Sequence, residues 1–568
     1  MSSSRRGGDP TLGRPVRSRP VRSRPARSRP ARSRPARSRP ARSRRAATAA
    51  LTASLAALLA VSACTTPGSA VTSATAASTA PDSAGGPGPA GPIVPTASTL
   101  HWHACSGELS LLRVPDCTML SVPLNYADPG GKHLSLALDM IPASAPPSRQ
   151  QGILLVNPGG PGASGLSLAV AVAQGLARGV AADYDIVGFD PRGVGSSEPA
   201  LSCDPSFFAG ARPNYIPANA TAEQVQISLA RLYADDCKQN FGWMLPYMTT
   251  ENSARDLDSI RAAFGVSKIN YYAFSYGTYL GQVYATLFPS RVRRMVLDST
   301  VDPTGAWYAD NIKQDYAFDQ RQDAFYAWMA RYDAALHLGG TAASVRAAYY
   351  RARSRLAADP LNGQLGPDEL DDTFLAGGYN DGLWPNLAQA LSLYVNFGQG
   401  ADLIAQYQAH GLTNENGFAV YHAVECSDVN WPRSWAYWTS DTQMVNQAAP
   451  FEAWSNAWFN AACAFWPVRG PATPLPIRGS GLPGILMLQG TLDAATPYAG
   501  AQDAHRLLPS ARMVVVTGSG VHGQSLNNPP DTCVQNYLNA YLATGALPGA
   551  PGLVNATCPA VPLPALAP

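Results

Sequence analysis

One stretch of the sequence, residues 269–281, constrains the fold more than any other. It reads Ile-Asn-Tyr-Tyr-Ala-Phe-Ser-Tyr-Gly-Thr-Tyr-Leu-Gly. Its first half is β-prone, and the run after Ser275 suits a helix until Pro289 ends it. A lone serine at the apex of a strand, a tight turn and a helix forms a nucleophile elbow. The turn accepts only small residues two positions away. Ala273 and Gly277 fit, although Ala273 adds a methyl group to the usual Gly-x-Ser-x-Gly.

The segments around this elbow predict an α/β fold in which helices flank a mostly parallel sheet. Two alternating segments come first, at 121–126 and 134–140. Short apolar strands then recur with helix-length segments between them, at 153–156, 184–189, 269–274, 295–297, 485–489 and 513–516. This alternation is typical of parallel α/β sheets. The region from 302 to 480 is instead helical and holds nine of the eleven tryptophans, which indicates a lid inserted over the sheet.

The N-terminal part predicts export. Arginine–proline repeats at 14–43 are followed by an apolar run, Ala46–Ala63, as in a signal sequence. The run ends Val-Ser-Ala-Cys64, which is similar to a bacterial lipobox and predicts lipid attachment at Cys64. An ordinary signal peptide, or a marginal membrane span, fits the same run. The protein is therefore expected to be a cell-surface lipoprotein, with a membrane anchor on Cys64, or a secreted protein.

These patterns divide the chain into five parts. Residues 1–63 are an Arg-rich extension with the signal sequence, and residues 64–98, rich in Ala, Ser, Thr, Pro and Gly, are a flexible linker. We assign 99–302 and 481–568 to the two parts of the α/β core and 303–480 to the helical lid.

The remaining eight cysteines form four pairs that are close in sequence. Exported proteins commonly contain disulfides, and we favour pairing between neighbours, although eight cysteines allow 105 connectivities. The predicted pairs are Cys105 with Cys117, Cys203 with Cys237, Cys426 with Cys463, and Cys533 with Cys558. No Cys-x-x-Cys is present, which argues against a zinc or redox motif.

The charge distribution argues against a nucleic-acid partner. The net charge of +3 arises because residues 1–63 contain 16 Arg and one acidic residue. The rest of the chain carries 26 Lys and Arg against 38 Asp and Glu, so the predicted folded body is acidic.

A serine nucleophile needs a base and an orienting acid, which in this arrangement follow it in the order acid, then histidine. Asp493 lies in a loop leaving the strand 485–489, and His522 lies in the Gly-rich loop after the strand 513–516. Both loops are at the carboxyl ends of strands, where such sites form. Asp298, after the strand 295–297, is the alternative acid; we favour Asp493. This chemistry requires no metal or cofactor.

The tetrahedral intermediate needs backbone N–H donors aimed at its oxyanion. One is expected from Tyr276, directly after the nucleophile. The other is expected from Pro158-Gly-Gly-Pro-Gly162, where the prolines have no N–H, so that Gly159 or Gly160 must supply it; we choose Gly160. A phosphate-binding loop is the competing interpretation, but no Lys-Ser/Thr follows.

Several motifs, taken in order, resemble the tripeptidyl aminopeptidase family. They are Asn157-Pro-Gly-Gly-Pro-Gly, Gly188-Phe-Asp-Pro-Arg-Gly-Val-Gly, Ser275-Tyr-Gly-Thr-Tyr-Leu-Gly, Gly490-Thr-Leu-Asp-Ala-Ala-Thr-Pro and the Cys533/Cys558 region. Members are secreted or lipid-anchored bacterial α/β-hydrolases related to proline iminopeptidases. Ala273, and Val521 before the histidine, depart from the family pattern by replacing glycine. The resemblance implies a serine exopeptidase that releases short peptides, often tripeptides, from substrates with a free N-terminus.

Such an enzyme needs a carboxylate to hold the substrate ammonium, about 10 Å from Ser275 for three extended residues. Our candidate is Glu425 in the predicted lid, with Asp428 second; a solvated or helix-capping acid is the alternative interpretation. The lid aromatics are expected either to line a substrate pocket or to form the lid core. A carboxylesterase or lipase with the same triad is the rival activity, and a non-catalytic surface binding protein is a further alternative.

Overall fold

A computed structural model describes residues 100–112 and 114–566 of the chain. They form a ten-stranded sheet with the order β1-β2-β3-β5-β4-β6-β7-β8-β9-β10. The strands are β1 (His103–Ala104), β2 (Asp116–Pro123), β3 (His133–Ile141), β4 (Ile153–Asn157), β5 (Asp185–Phe189), β6 (Ile269–Phe274), β7 (Val292–Asp298), β8 (Ile485–Gly490), β9 (Ala511–Thr517) and β10 (Ala556–Pro559). The first strands pair antiparallel, and from β5 to β10 every neighbouring pair is parallel.

Helices cover both faces of this sheet and fill the segment between β7 and β8. The α-helices are α1 (Gly107–Leu111), α2 (Leu168–Gly175), α3 (Arg178–Ala181), α4 (Ala220–Phe241), α5 (Thr250–Ala263), α6 (Tyr276–Leu287), α7 (Tyr308–Ala330), α8 (Asp333–Leu336), α9 (Ala342–Ala358), α10 (Pro367–Tyr379), α11 (Trp384–Phe397), α12 (Ala401–His410), α13 (Glu415–Asp428), α14 (Trp435–Ala448), α15 (Ala453–Asn460), α16 (Tyr498–Leu507) and α17 (Thr532–Thr544). The α/β fold class expected from the sequence is confirmed.

The central strands are continuous apolar runs because both of their faces are buried. All residues of β4, β6 and β8 are buried, whereas the outer strand β2 alternates between buried and exposed positions. Side chains of a strand point alternately to its two faces. On β4, Leu155 therefore packs in one apolar cluster with Leu280 of α6, and Leu154 packs in another with Leu538 of α17.

Nine helices, α7 to α15, lie between β7 and β8 and form the lid. Several of its aromatic residues build an apolar cluster, in which the rings of Phe325 and Trp384 stack at 4.9 Å. Trp328 and Trp384 are almost fully buried there. Much of the tryptophan content of the lid therefore holds lid helices together rather than lining a substrate pocket.

Two parts of the core differ from the sequence-based expectations. The long segment between β5 and β6 contains the helices α4 and α5, and the sequence analysis predicted neither of them. Arg192, fully buried after β5, anchors this segment through a two-point ion pair with Asp256 of α5, at 2.7 and 2.8 Å. The short strand β10 also extends the sheet beside β9, in a proline-rich terminal region where no strand was predicted.

Four disulfides connect the described cysteines. They are Cys105–Cys117, Cys203–Cys237, Cys426–Cys463 and Cys533–Cys558, the sequence-neighbour pairs. The predicted extension and signal sequence at 1–63, the linker at 64–98 and the lipid-attachment residue Cys64 lie outside the described residues. None of the helices in the described part has both the length and the apolar character that a membrane span requires.

Candidate active site

Ser275 lies at the apex of the turn between β6 and α6. Its backbone has φ 56° and ψ −132°, a region that non-glycine residues rarely occupy. Such strain persists only where the surroundings hold it in place, and it is the conformation that lifts a nucleophile out of the turn. The strand, turn and helix predicted around Ser275 are therefore present.

The elbow also has the close packing that requires small neighbours. A Cβ placed on Gly277 would lie 2.5 Å from Asn157 Oδ1 and 2.9 Å from the Cβ of Ala273. The extra methyl of Ala273 thus fits only because residue 277 has no side chain. The departure from the usual Gly-x-Ser-x-Gly pattern is accommodated locally.

His522 and Asp493 form a buried hydrogen-bonded pair. The Nδ1–H of His522 donates to both carboxylate oxygens of Asp493, at 3.0 and 3.1 Å. The backbone N–H and the hydroxyl of Thr496 donate to the same carboxylate and fix its orientation. Burial lowers the pKa of His522, but the adjacent Asp493 charge, with a smaller contribution from Asp298, raises it above the usual value overall.

The other ring nitrogen of His522, Nε2, is buried and accepts no hydrogen bond from the described residues. Ser275 and His522 line one cavity, but the serine hydroxyl does not bond to Nε2 in this structure. Hydrogen bonds between a nucleophile and its base are often long without substrate and shorten when substrate binds. The arrangement therefore offers a free basic nitrogen on the side of the ring opposite the acid.

The alternative acid, Asp298, has a different role. Its carboxylate accepts the backbone N–H groups of Gln524 and Ser525, at 2.7 and 2.9 Å, and the hydroxyl of Ser525. Burial raises its pKa to about 6, although these hydrogen bonds favour the ionised form. Asp298 thus holds the loop that carries His522, whereas Asp493 contacts the imidazole itself.

The Gly-rich loop after β4 packs directly against the elbow. Gly159 has φ 102°, and a Cβ there would lie 2.8 Å from the Ser275 Cβ and 3.1 Å from the Tyr276 nitrogen. The N–H of Gly159 donates to Asn157 Oδ1 at 3.0 Å. The N–H of the next loop residue, Gly160, is therefore the one that could donate to an oxyanion. The N–H of Tyr276 could do the same, because it lies in the first turn of α6, where no intrahelical acceptor exists.

The cavity that contains Ser275 has a volume of about 930 Å³ and lies between the sheet edge and the lid. Glu425, on the last turn of α13, lines it, and its Oε2 is buried without a hydrogen-bond partner in the described residues. Burial raises the pKa of the Glu425 carboxyl well above its usual range; the neighbouring Tyr421 and Asn311 side chains oppose this increase, and the charges of Asp428 and Asp310 add to it. A carboxyl in this state is open to a cationic ligand.

Asp428, the second candidate for ammonium binding, is already occupied. It accepts the backbone N–H of Thr250 at 2.7 Å, the hydroxyl of Thr250, and the indole N–H of Trp307 at 3.3 Å. Burial raises its pKa to about 7. Asp428 therefore links the lid to α5 and does not face the cavity.

Two cavity residues were not found from the sequence. The carbonyl oxygen of Tyr379, at the end of α10, accepts the backbone N–H of His522 at 2.8 Å, and the Tyr379 ring meets the imidazole edge-on at 5.4 Å between centroids. Glu452, just before α15, is buried and lines the cavity, and its Oε2 has no hydrogen-bond partner in the part of the chain that the structure describes. Neither belongs to a motif, so only the packing of the lid reveals them.

The chain is similar to known hydrolases over most of its length. The model of the α/β hydrolase fold family matches residues 152–527. A tripeptidyl aminopeptidase of Streptomyces lividans is 43% identical over 458 residues, which cover 78% of this chain and 84% of that protein. The serine protease Hip1 of Mycobacterium tuberculosis is 32% identical, covering 79% of this chain and 89% of that protein. A carboxylesterase B of the same organism is also 32% identical, covering 81% and 90%.

Proposed function

Because this chain belongs to the tripeptidyl aminopeptidase family of α/β-hydrolases, it is a serine peptidase, and we propose that it releases tripeptides from the free N-termini of peptide substrates. The observation that carries this proposal is a juxtaposition. One cavity holds the strained Ser275, the unbonded Nε2 of His522 and the carboxyl of Glu425, whose Oε2 has no partner among the described residues. The first two supply acyl-transfer chemistry, and the third supplies a binding group for an ammonium.

In the proposed mechanism, Ser275 Oγ attacks the scissile carbonyl while His522 Nε2 takes the hydroxyl proton. Asp493 keeps the hydrogen on Nδ1 and stabilises the imidazolium that forms. The N–H groups of Tyr276 and Gly160 bind the oxyanion of the tetrahedral intermediate. The imidazolium then gives its proton to the leaving amine, which departs and leaves an acyl-serine. Water, deprotonated by His522, attacks this ester, and the released peptide carboxylate and free serine complete the cycle.

Glu425 is proposed to bind the N-terminal ammonium of the substrate. Its carboxyl is buried and has no cationic partner among the described residues, so a positive charge that enters the cavity stabilises its ionised form. The need for this charge would make the enzyme an exopeptidase, because a blocked N-terminus leaves the carboxyl unpaired. Three extended residues between the ammonium and the scissile carbonyl span about 10 Å.

The cellular location is part of the same proposal. The four disulfides support an oxidising compartment outside the cytoplasm. We propose that the protein is exported and that Cys64 carries a lipid anchor. Fractionation tests the anchor: wild type should sediment with membranes, and Cys64→Ser should appear in the soluble extracellular fraction.

The activity is tested with a tripeptide p-nitroanilide carrying either a free or an acetylated N-terminus. We expect wild type to cleave the free-amine substrate alone and Ser275→Ala to cleave neither. Glu425→Gln should lose the preference for the free amine, while Glu108→Gln, an exposed glutamate of α1 outside the cavity, should keep it. An unchanged preference in Glu425→Gln would exclude this residue as the anchor.

Esterase activity is the second candidate function, favoured by the similarity to carboxylesterase B. The same triad would form the same acyl-enzyme from an ester. Turnover of p-nitrophenyl esters without cleavage of any free-amine p-nitroanilide would decide for the esterase.

A further inference from the structure

The lid contacts the loop that carries His522 at two nearby positions. One is His522 itself, whose backbone N–H donates to the carbonyl oxygen of Tyr379 at 2.8 Å. The other is Gly520, two residues earlier, which the side chain of Arg321 on α7 contacts. Arg321 is not among the residues that line the cavity, so it can influence the reaction only through this loop.

The guanidinium of Arg321 occupies the space that a side chain at position 520 would need. A Cβ placed on Gly520 would lie 2.1 Å from Cζ of Arg321 and 2.4 Å from its Nε. Gly520 is buried, and its φ does not lie in the left-handed region that favours glycine. The backbone conformation therefore does not require glycine at this position, whereas the contact with the guanidinium does.

Two other lid residues hold this guanidinium in place. It forms an ion pair with Asp381, two residues after the end of α10, and its Cζ lies 5.0 Å from the centroid of the Trp384 ring. The indole N–H of Trp384 donates to the Gly377 carbonyl oxygen at 2.8 Å, which fixes the ring. The guanidinium thus cannot move away from the loop without breaking its ion pair with Asp381.

Stability alone accounts poorly for Arg321. Its side chain is 5% exposed, and its Nε is buried with no hydrogen-bond partner in the described part of the chain. A buried ion pair with an unsatisfied donor often stabilises a fold no better than apolar side chains of similar volume. The contact with the histidine loop gives this buried charge a role that an apolar side chain of another shape would not fill.

We propose that Arg321 is a positioning residue, which by its contact with Gly520 fixes the loop that carries His522. This inference rests on the proposed role of His522 as the base, and it applies to ester and peptide substrates alike. Arg321 and the Tyr379 carbonyl hold the loop on the two sides of Val521. Without Arg321 the loop moves more freely, and the imidazole is less often placed to take the serine proton.

The first test compares Arg321→Ala with Arg346→Ala, a control that removes an exposed lid arginine paired with Asp323. Complete labelling of Ser275 by a fluorophosphonate counts the active sites, and kcat for a free-amine tripeptide p-nitroanilide is expressed per labelled site. In Arg321→Ala we expect kcat to fall about tenfold or more with KM nearly unchanged, because a misplaced base slows proton transfer without removing a substrate contact. Arg346→Ala should keep the wild-type kcat.

The second test uses Gly520→Ala, alone and combined with Arg321→Ala. The added methyl and the guanidinium cannot occupy the same space, so Gly520→Ala alone should also lower kcat about tenfold or more. In the double variant the methyl meets no guanidinium, and kcat should be no lower than in Arg321→Ala alone.

The pH profile of Gly520→Ala gives a third readout, because this substitution changes no charge. Burial lowers the pKa of His522, but Asp493 raises it above the usual value overall. An imidazole that moves away from Asp493 should therefore shift the acidic limb of kcat/KM to lower pH. A substitution that only lowered the stability of the fold would leave this limb in place.

Three results would overturn the inference. They are a wild-type kcat per labelled site in Arg321→Ala, even where fewer sites are labelled; losses of the two single variants that multiply in the double variant; and an unchanged acidic limb in Gly520→Ala. The same comparisons can be made with a p-nitrophenyl ester, since the base acts in both reactions. A wild type that is not labelled and cleaves neither substrate would instead reject the proposed function.

Discussion

The two buried acids near His522 should be separable by replacing each with asparagine. Asp493 contacts the imidazole Nδ1 through both oxygens, so Asp493→Asn removes the charge that stabilises the imidazolium. Loss of the triad acid in this way lowers kcat by about 10⁴-fold, which is about 5.4 kcal/mol in the barrier. The Asp298 carboxylate, by contrast, accepts its hydrogen bonds from Gln524 and Ser525, in the loop after the histidine.

The expected loss for Asp298→Asn follows from its hydrogen bonds. Asparagine has one neutral carbonyl oxygen and one NH2 group, so one of the two backbone N–H groups, that of Gln524 or Ser525, loses its acceptor and the other keeps an uncharged one. A hydrogen bond to a charged group is worth about 1.5–3 kcal/mol. Even if all of this free energy is added to the activation free energy of the reaction, kcat falls by about 10- to 150-fold.

The assay is kcat/KM for a free-amine tripeptide p-nitroanilide between pH 5 and 9. His522 must be neutral to act as base, so activity falls as the pH drops through its pKa. Because Asp493 raises that pKa, Asp493→Asn should move the acidic limb to lower pH, and Asp298→Asn should move it less in the same direction. Equal losses in kcat, or a larger shift of the limb in Asp298→Asn, would refute the assignment of Asp493.

Three further predictions concern the loop, the cavity and the sheet edge. Gly159→Ala places a methyl 2.8 Å from the Ser275 Cβ and should lower kcat by about 100-fold, as for a lost oxyanion donor, with KM nearly unchanged; a kcat above a tenth of wild type contradicts this. Glu452→Gln should raise the melting temperature: since burial raises the folded-state pKa, the gain should be absent near pH 4 and grow as the pH rises to 8, and a gain independent of pH argues against a buried charge. Replacing both Cys533 and Cys558 with serine opens a 25-residue loop and should lower the free energy of unfolding by about 3.5 kcal/mol in urea titrations; a loss under 1 kcal/mol contradicts the chain-entropy argument.

The parts of the site that sequence reasoning located are those encoded by local patterns. The elbow needs a strand, a serine and small neighbours within a few residues, and all of these are visible around Ser275. Asp493 and His522 each follow an apolar strand, and parallel strands bring their carboxyl ends to one edge. The position of both residues at that edge was therefore predictable from strand order alone.

The parts that were not predictable depend on how the lid packs. Glu425 and Asp428 are one helical turn apart on α13, and the sequence does not tell which of them faces the cavity. In the fold, Thr250 and Trp307 donate hydrogen bonds to Asp428, whereas Oε2 of Glu425 has no partner among the described residues. Glu452 has no sequence signal at all, because its importance comes from the acidic residues of α7 and α10 that surround it.

The hydrogen bond from the His522 amide to the Tyr379 carbonyl has a consequence for exchanging lids between related hydrolases. The acceptor is a backbone atom, so no choice of side chain at position 379 preserves or removes it. What must be conserved is the point in space where α10 ends. A grafted lid whose corresponding helix stops one residue earlier or later would leave the histidine loop without its acceptor, even if every substrate-contacting side chain were retained. Chimaeras designed to change specificity should therefore keep the length of α10 fixed and vary the helices that follow it.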